Sequence, residues 1–306
     1  MVTDIKKFLK TKFSKNPNKI RESKLDVSVS VINIILLFLM VILVAFPLLS
    51  FFSLAFSNSA FNAQVILFPK RFTLWAFEYI FREEAVWFWR AFLNSVIITV
   101  IVTIVSNLVE SMAAYPLSKM DCPFRAGIMM FFVITMLFSA GIVPIYLLMN
   151  SLQVTNTIWS VILVSISNVG NLLFFKTFFE GLPSDIEEAA RLDGASEIQM
   201  FIKIVIPMSL PVIGSCCFFT IVGMWNSYGS ALIFISATAK EAHPLAYYIY
   251  ILITRLEVVK DDPDVVAGLN NIQAAAMLLS IIPILCIYPY VIKYIKNGLT
   301  LGSVKE

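Results

Sequence analysis

Between Lys176 and Lys203 stand nine ionisable side chains: Lys176, Glu180, Asp185, Glu187, Glu188, Arg191, Asp193, Glu197 and Lys203. The chain as a whole is 59% hydrophobic and only 14% charged. Each of these charges would cost roughly 2.5–3.5 kcal/mol at a bilayer centre, so the nine together would cost more than about 20 kcal/mol. The stretch is therefore expected outside lipid, although long apolar runs flank it on both sides. Its polar residues sit where helix ends need them. Pro183 and Ser184 open a helix, and Ser184 with Glu187 three residues on has the spacing of a capping box. Gly194 is well placed to end that turn. Ser196 with Gln199 repeats the capping-box spacing, and Pro207 stops or kinks the second helix. The reading is two short helices bent at a glycine.

Other chemistries find little support. The four cysteines, Cys122, Cys216, Cys217 and Cys286, are scattered without metal-ligand spacing, and three fall in apolar runs. His243 is the single histidine, and alone it makes neither a zinc site nor a catalytic relay. No G-x-x-x-x-G-K-[ST] phosphate loop is present, so the chain is not expected to hydrolyse ATP. Of the carboxylates, Glu110 is the one candidate inside an apolar run. The net charge of +3 is too small to suggest nucleic acid.

The elements that must hold the charged stretch are membrane spans. A soluble chain would carry about 25% charged residues, and runs of about 20 apolar residues are long enough to cross. Six such runs are expected, at 27–55, 89–113, 126–149, 158–179, 208–235 and 272–295. The charged stretch, 181–207, lies between the fourth and the fifth. Residues 1–26 form a basic arm in which Ile5, Phe8, Leu9 and Phe13 share a face if it is helical. That arm either sets orientation or lies along an anionic leaflet. No cleavable signal peptide is expected, because the following apolar run is too long. Residues 56–88 are aromatic, with Phe61, Trp75 and Trp87 among them, and suit a membrane interface. Residues 236–271 form a polar loop, and 296–306 a short tail. With an even number of spans both ends share a side. That side holds sixteen Lys and Arg against seven on the other, so both termini and the charged loop are expected in the cytoplasm.

Glu188-Ala189-Ala190, then Gly194, then Ile206-Pro207 resemble the EAA loop of the permease subunits of bacterial ABC importers. The wording from Glu187 to Pro211 looks most like the carbohydrate branch, the maltose-type permeases. The tail from Lys296 to Lys305 is similar to the "GLT.G.VK" ending of that branch, and Ser139 to Pro144 resembles its "SGGLIP" word, with Ala140 in place of a glycine. The resemblance spans about 92–304. It implies an all-α membrane protein with six transmembrane helices and a cytoplasmic coupling helix between spans four and five. It further implies a subunit of an ATP-driven importer of a sugar, an oligosaccharide, working by alternating access in a bacterial cell membrane. The partners implied are a second permease, two cytoplasmic ATPase subunits that bind the ATP and Mg, and an extracytoplasmic sugar-binding protein. This chain itself would need no cofactor or metal.

The resemblance assigns Glu187, Glu188, Ala189, Ala190, Asp193 and Gly194 to coupling with the ATPase. Glu187 has the alternative of capping its own helix, which leaves Glu188 as the better intersubunit contact. Polar groups inside spans face the bundle or a water-filled path. Asn168 and Asn171 are three apart and so share a face of the fourth span. Trp225, Asn226 and Tyr228 lie mid-way along the fifth. Aromatic faces and amides are what a sugar path needs, while helix–helix bonding would use the same residues. For Asn107 and Glu110, interhelical bonding or gating is expected. Gly298 and Gly302 would let the tail enter a cleft on the ATPase, or the tail frays. His243 reads as a surface residue or a contact for the binding protein. The alternatives left open are an importer of amino acid, peptide or phosphate, a membrane-embedded glycan transferase, and a secondary transporter.

Overall fold

A computed structural model of the chain describes residues 24–58, 67–82, 85–138, 140–256 and 263–302, and among them there is no strand. The basic arm up to residue 23, Phe61, Ser139, the acidic pair Asp261 and Asp262, and the tail beyond Gly302 lie outside the described residues.

Contacts divide the chain into two units, Met1–Ser50 and Phe51–Glu306. The first unit carries most of the helix Lys24–Ala55, which has Pro47 near its end. Its apolar character all round is that of a membrane span rather than of an amphipathic surface helix.

The second unit is built around one long helix, Ala85–Ser118, called here the central helix. It packs most extensively against Val169–Glu180 and Leu210–Asn226. Its pattern is the reverse of a soluble helix. Ser95, Thr99, Thr103, Ser106 and Glu110 recur every three or four residues and are buried, whereas Leu93, Ile97, Val100, Ile104 and Leu108 are exposed. In lipid this is the stable arrangement. Small and polar side chains let helices approach and bond, and the apolar face meets hydrocarbon.

Four helices are long and apolar enough to cross a membrane, at Val29–Ala55, Val86–Ser118, Ile158–Glu180 and Asn270–Pro289. Two further pairs qualify only if each bent pair is one span: Arg125–Leu137 with Ile142–Ser151, bent by 104°, and Glu197–Met208 with Leu210–Asn226, bent by 77°. The third expected span is thus not one straight rod. Gly141 at its bend has φ of 84°, a conformation open chiefly to glycine. The fifth ends early: its helix stops at Asn226 and a separate turn of helix, Gly229–Phe234, follows. There Asn226 Nδ2 bonds back to the carbonyl of Val222 at 2.9 Å, a local bond of the kind that competes with the helix ladder. The fourth breaks between Ile158–Ser165 and Val169–Glu180. At the chain's end the helix is longer than expected, Pro263–Gly302, and contains Pro283 and Pro289. Gly298 and Gly302 lie in its closing turns.

Much of the expected polar loop 236–271 is helical. It contains the amphipathic helix Leu245–Leu256, whose Leu245, Tyr248, Ile249 and Leu252 are buried against the other helices. His243 is also buried, at 2% exposure, which corrects its reading as a surface residue. Its ring lies edge-on to Tyr247 and 3.1 Å from the Ser236 carbonyl, and its own carbonyl accepts from Asn94 Nδ2. The reason is local: the chain must turn from one helix to the next there, and Asn94 of the central helix satisfies two backbone carbonyls of the turn, those of Glu241 and His243.

Candidate functional site: the charged loop and its anchors

The charged stretch folds as two short helices. The first is Ser184–Leu192, called the loop helix. Its N-cap position is Pro183, and no side chain caps it. Ser184 Oγ turns to Asp185 instead, at 3.4 Å, so the first expected capping box does not form. Glu187 is drawn away by a stronger partner: its carboxylate pairs with Lys119. A charge-assisted pair is worth more than a cap to a single backbone N–H.

The far end of the loop helix is as expected. Gly194 has φ of 79°. The Gly194 N–H bonds the Arg191 carbonyl and the Ala195 N–H bonds the Ala190 carbonyl, both at 3.0 Å. These are the two bonds of a Schellman turn, which needs a residue in the left-handed region. The second capping box forms in full between Ser196 and Gln199. The helix it starts, Glu197–Met208, contains a π-helical segment at Phe201–Val205. The Ile206 N–H reaches back five residues to Phe201, widening the helix just before Pro207. Proline offers no N–H and its ring needs that room.

Two anchors tie the loop to the end of the central helix. Lys119 lies 4.7 Å from the Tyr115 ring centre while pairing with Glu187. Tyr115 Oη donates to Glu197 Oε2 at 3.0 Å, and Arg191 Nη2 meets Glu197 Oε1 at 2.9 Å. Both loop helices are thereby joined to one turn of one helix. A second cluster, Arg125 with Glu180 and Lys176 with Glu180, closes the neighbouring helix ends. Spacing alone did not point to Lys119, Tyr115 or Glu197, because the partners are far apart in sequence. For Lys119 the one signal was its type, an isolated charge bordering an apolar run.

What remains outward is a mixed surface. Glu188, Ala189 and Asp193 are exposed and Ala190 is partly so. Ile186 and Leu192, at 40% and 89% exposure, add apolar area. Beside the loop a groove of about 580 Å³ runs between the central helix and Glu197–Met208, lined by Leu108, Met112, Tyr115, Ile198, Phe201 and Ile202 among others.

The expected substrate-path residues differ in burial and in partners. Asn168 is the N-cap of Val169–Glu180, its Oδ1 accepting from Gly170 N and Asn171 N at 2.8 and 3.3 Å. It is exposed, whereas Asn171 is buried and donates to Thr220 Oγ1 at 3.2 Å. The two therefore meet at a helix break rather than on a continuous face. Trp225 is buried at 6% exposure, edge-on to Phe92, and its Nε1 donates to the Ser280 carbonyl at 2.9 Å. Asn226 and Tyr228 are exposed, and Tyr228 stacks on Tyr250 at 5.1 Å. No group of three or more His, Cys, Asp or Glu with metal-site geometry occurs among the described residues.

The chain is thus a helical membrane bundle whose charged two-helix loop is anchored to the end of its central helix. Residues 111–300 match the family described as "Binding-protein-dependent transport system inner membrane component". The chain belongs to that family, the permeases of ABC importers. It is 35% identical over 262 residues to the polygalacturonan/rhamnogalacturonan transport system permease protein YtcP of Bacillus subtilis (strain 168), covering 83% of this chain and 89% of that one. The protein LplC of the same organism is 35% identical, over 85% of this chain and 88% of its own. The arabinooligosaccharides transport system permease protein AraQ of Halalkalibacterium halodurans is 29% identical over 85% and 91%. Among solved structures, a chain of a bacterial ABC transporter involved in the import of the acidic polysaccharide alginate superposes with a TM-score of 0.79, covering 90% of this chain and 99% of that one at 24% identity. At that identity the likeness speaks for the fold. The protein is thus a multi-pass membrane permease component of a transport system.

Proposed function

We propose that this permease carries an oligosaccharide into the cytoplasm by alternating access, driven by ATPase subunits that grip the helix Ser184–Leu192. The observation that carries this reading is the form of that helix. It is anchored by Glu187 to Lys119 and, through Arg191, to the Glu197 that Tyr115 also holds, and it leaves Glu188, Ala189, Leu192 and the following Asp193 exposed. A rigid handle with a free outer surface transmits a push, whereas a floppy loop would absorb it.

On this reading the two bent pairs each count as one span, which gives six. Both termini and the loop face the cytoplasm, in accord with the excess of Lys and Arg on that side. The complete transporter comprises this chain, a related second permease, two ATPase subunits that hold ATP and Mg, and an extracytoplasmic sugar-binding protein. This chain holds no cofactor of its own. The cargo class rests on the relatives, whose names specify polygalacturonan, rhamnogalacturonan and arabinooligosaccharides. In the path itself, Asn226 and the stacked pair Tyr228 and Tyr250 offer an amide and an aromatic face. Asn168, exposed at a helix break, offers a second polar contact. Trp225 supports that surface from behind. Gly298 and Gly302 belong to the segment that reaches the ATPase.

ATP binding closes the ATPase dimer and drags the handle, and only a cargo or nucleotide with unequal affinity for the two states can shift them. The test is to purify the permease pair with its ATPase in mild detergent, reconstitute it in vesicles, and screen the neighbouring binding protein by thermal shift against uronic-acid and arabinose oligosaccharides. Uptake of the stabilising sugar, lost in Glu188→Lys, is the expected result. A purified bundle with no ATPase attached, or stabilisation by amino acids alone, refutes it.

A further inference from the structure

The buried face of the central helix carries a carboxyl that the coupling scheme leaves unused. Glu110 is 2% exposed. Its Oε1 accepts the backbone N–H of Asn168 at 2.8 Å, the Asn171 side chain also faces the carboxyl, and no hydrogen bond of ordinary geometry reaches Oε2. Asn168 stands where the fourth span breaks, just ahead of Val169–Glu180, the arm that leads to the charged loop. A break inside a membrane frees backbone N–H groups that lipid cannot satisfy. Asn168 Oδ1 takes two of them, those of Gly170 and Asn171, and Glu110 takes the N–H of Asn168 itself. The acceptor also lies at the positive end of the arm's dipole.

The same place joins a third helix. Asn171 and Asn107 both reach Thr220 Oγ1, at 3.2 and 3.5 Å. Thr220 sits on Leu210–Asn226, the helix that continues from the 77° bend on the other side of the charged loop. Both arms of the loop are therefore referred to one stretch of the central helix. A buried carboxyl is an expensive way to fill space in a bundle, since an apolar residue would pack there without that cost.

We propose that Glu110 is a positioning residue of transport: it pins the start of the Val169–Glu180 arm to the central helix, so that the arm swings about Asn168 when the loop is pulled. This rests on the reading of the loop as the ATPase handle. Without the pin the arm slides, and movement of the loop is not passed to the spans.

The test uses the whole transporter in a background with Cys122, Cys216, Cys217 and Cys286 changed to alanine. Spin labels at Trp159→Cys and Thr177→Cys, both exposed and on opposite sides of the break, report the angle across it. A non-hydrolysable ATP analogue is the probe, so no cargo is needed. Glu110 intact should give a label distance that shifts when the analogue binds. Glu110→Ala should abolish the shift and broaden the distribution, while Glu110→Gln, which keeps an acceptor oxygen, should restore it. Should the alanine variant fail to assemble, Glu110→Met, which keeps the volume, is scored the same way. A full shift in Glu110→Ala or Glu110→Met overturns the proposal. So does a glutamine variant as unresponsive as alanine, or loss of assembly in both the alanine and methionine variants. No shift with Glu110 intact overturns the handle reading itself, and the pin falls with it.

Discussion

Gly194 allows the coupling reading to be tested by energy alone. Its φ of 79° lies in the left-handed region, where a residue with a Cβ pays about 1–2 kcal/mol. A Cβ built on Gly194 meets nothing within 4 Å, so the penalty is purely backbone, with no clash to relieve. Asparagine tolerates this region best and β-branched residues worst. The order of effect is therefore fixed before any measurement: Gly194→Asn least, Gly194→Ala intermediate, Gly194→Val greatest. At 1–2 kcal/mol the turned state loses about 5- to 30-fold in its equilibrium against unturned forms. The helix Ser184–Leu192 would then lose the two bonds that close it. Membrane insertion and assembly of the spans should not change. The assay is sugar uptake and binding-protein-stimulated ATP hydrolysis in proteoliposomes, with the permease quantified by blot. Both activities should fall in that order. Wild-type uptake in Gly194→Val, or an asparagine variant worse than valine, would refute the argument that a closed turn is needed.

Three further outcomes are expected. Lys119→Glu or Glu187→Lys alone should loosen the loop by about 1.5–3 kcal/mol, the worth of a hydrogen bond to a charged group, and the double exchange should recover most of it. Hydrogen exchange at Ser184–Leu192 is the measure, and a double exchange no better than either single one contradicts the anchor. Trp225→Ala should lower the thermal midpoint of the assembled transporter, because deleting a buried tryptophan costs about 3–5 kcal/mol. Tyr228→Ala and Asn226→Ala should leave that midpoint in place and lower uptake at limiting sugar, and the reverse pattern would move the sugar path to Trp225. In a background without the four native cysteines and in vesicles stripped of the ATPase, Leu192→Cys, at 89% exposure, should react with a membrane-impermeant maleimide only from the cytoplasmic face. Labelling from the outside would invert the topology.

The sequence by itself determined the class of the molecule and the whereabouts of its working loop. Nine charges between apolar runs, Ser196 with Gln199, and a glycine at 194 are local facts, and local energetics suffice to read them: a charge is excluded from lipid whatever its neighbours do, and a left-handed turn asks for glycine wherever it occurs. The tertiary structure decided what the loop is tied to and where the spans break. Glu187 had two local options, and Lys119, far off in the chain, took it from both its own cap and the solvent. Asn168 and Asn171 looked like neighbours on one helical face, yet the helix breaks between Ser165 and Val169, where Glu110 on another helix accepts the Asn168 N–H. Trp225 offered an aromatic face by type alone, and the structure adds Phe92 edge-on to it and the Ser280 carbonyl accepting from its Nε1. A side chain's role in a bundle is fixed by whichever partner satisfies it, and in a medium without water that partner comes from another helix, which spacing along a single helix does not reveal.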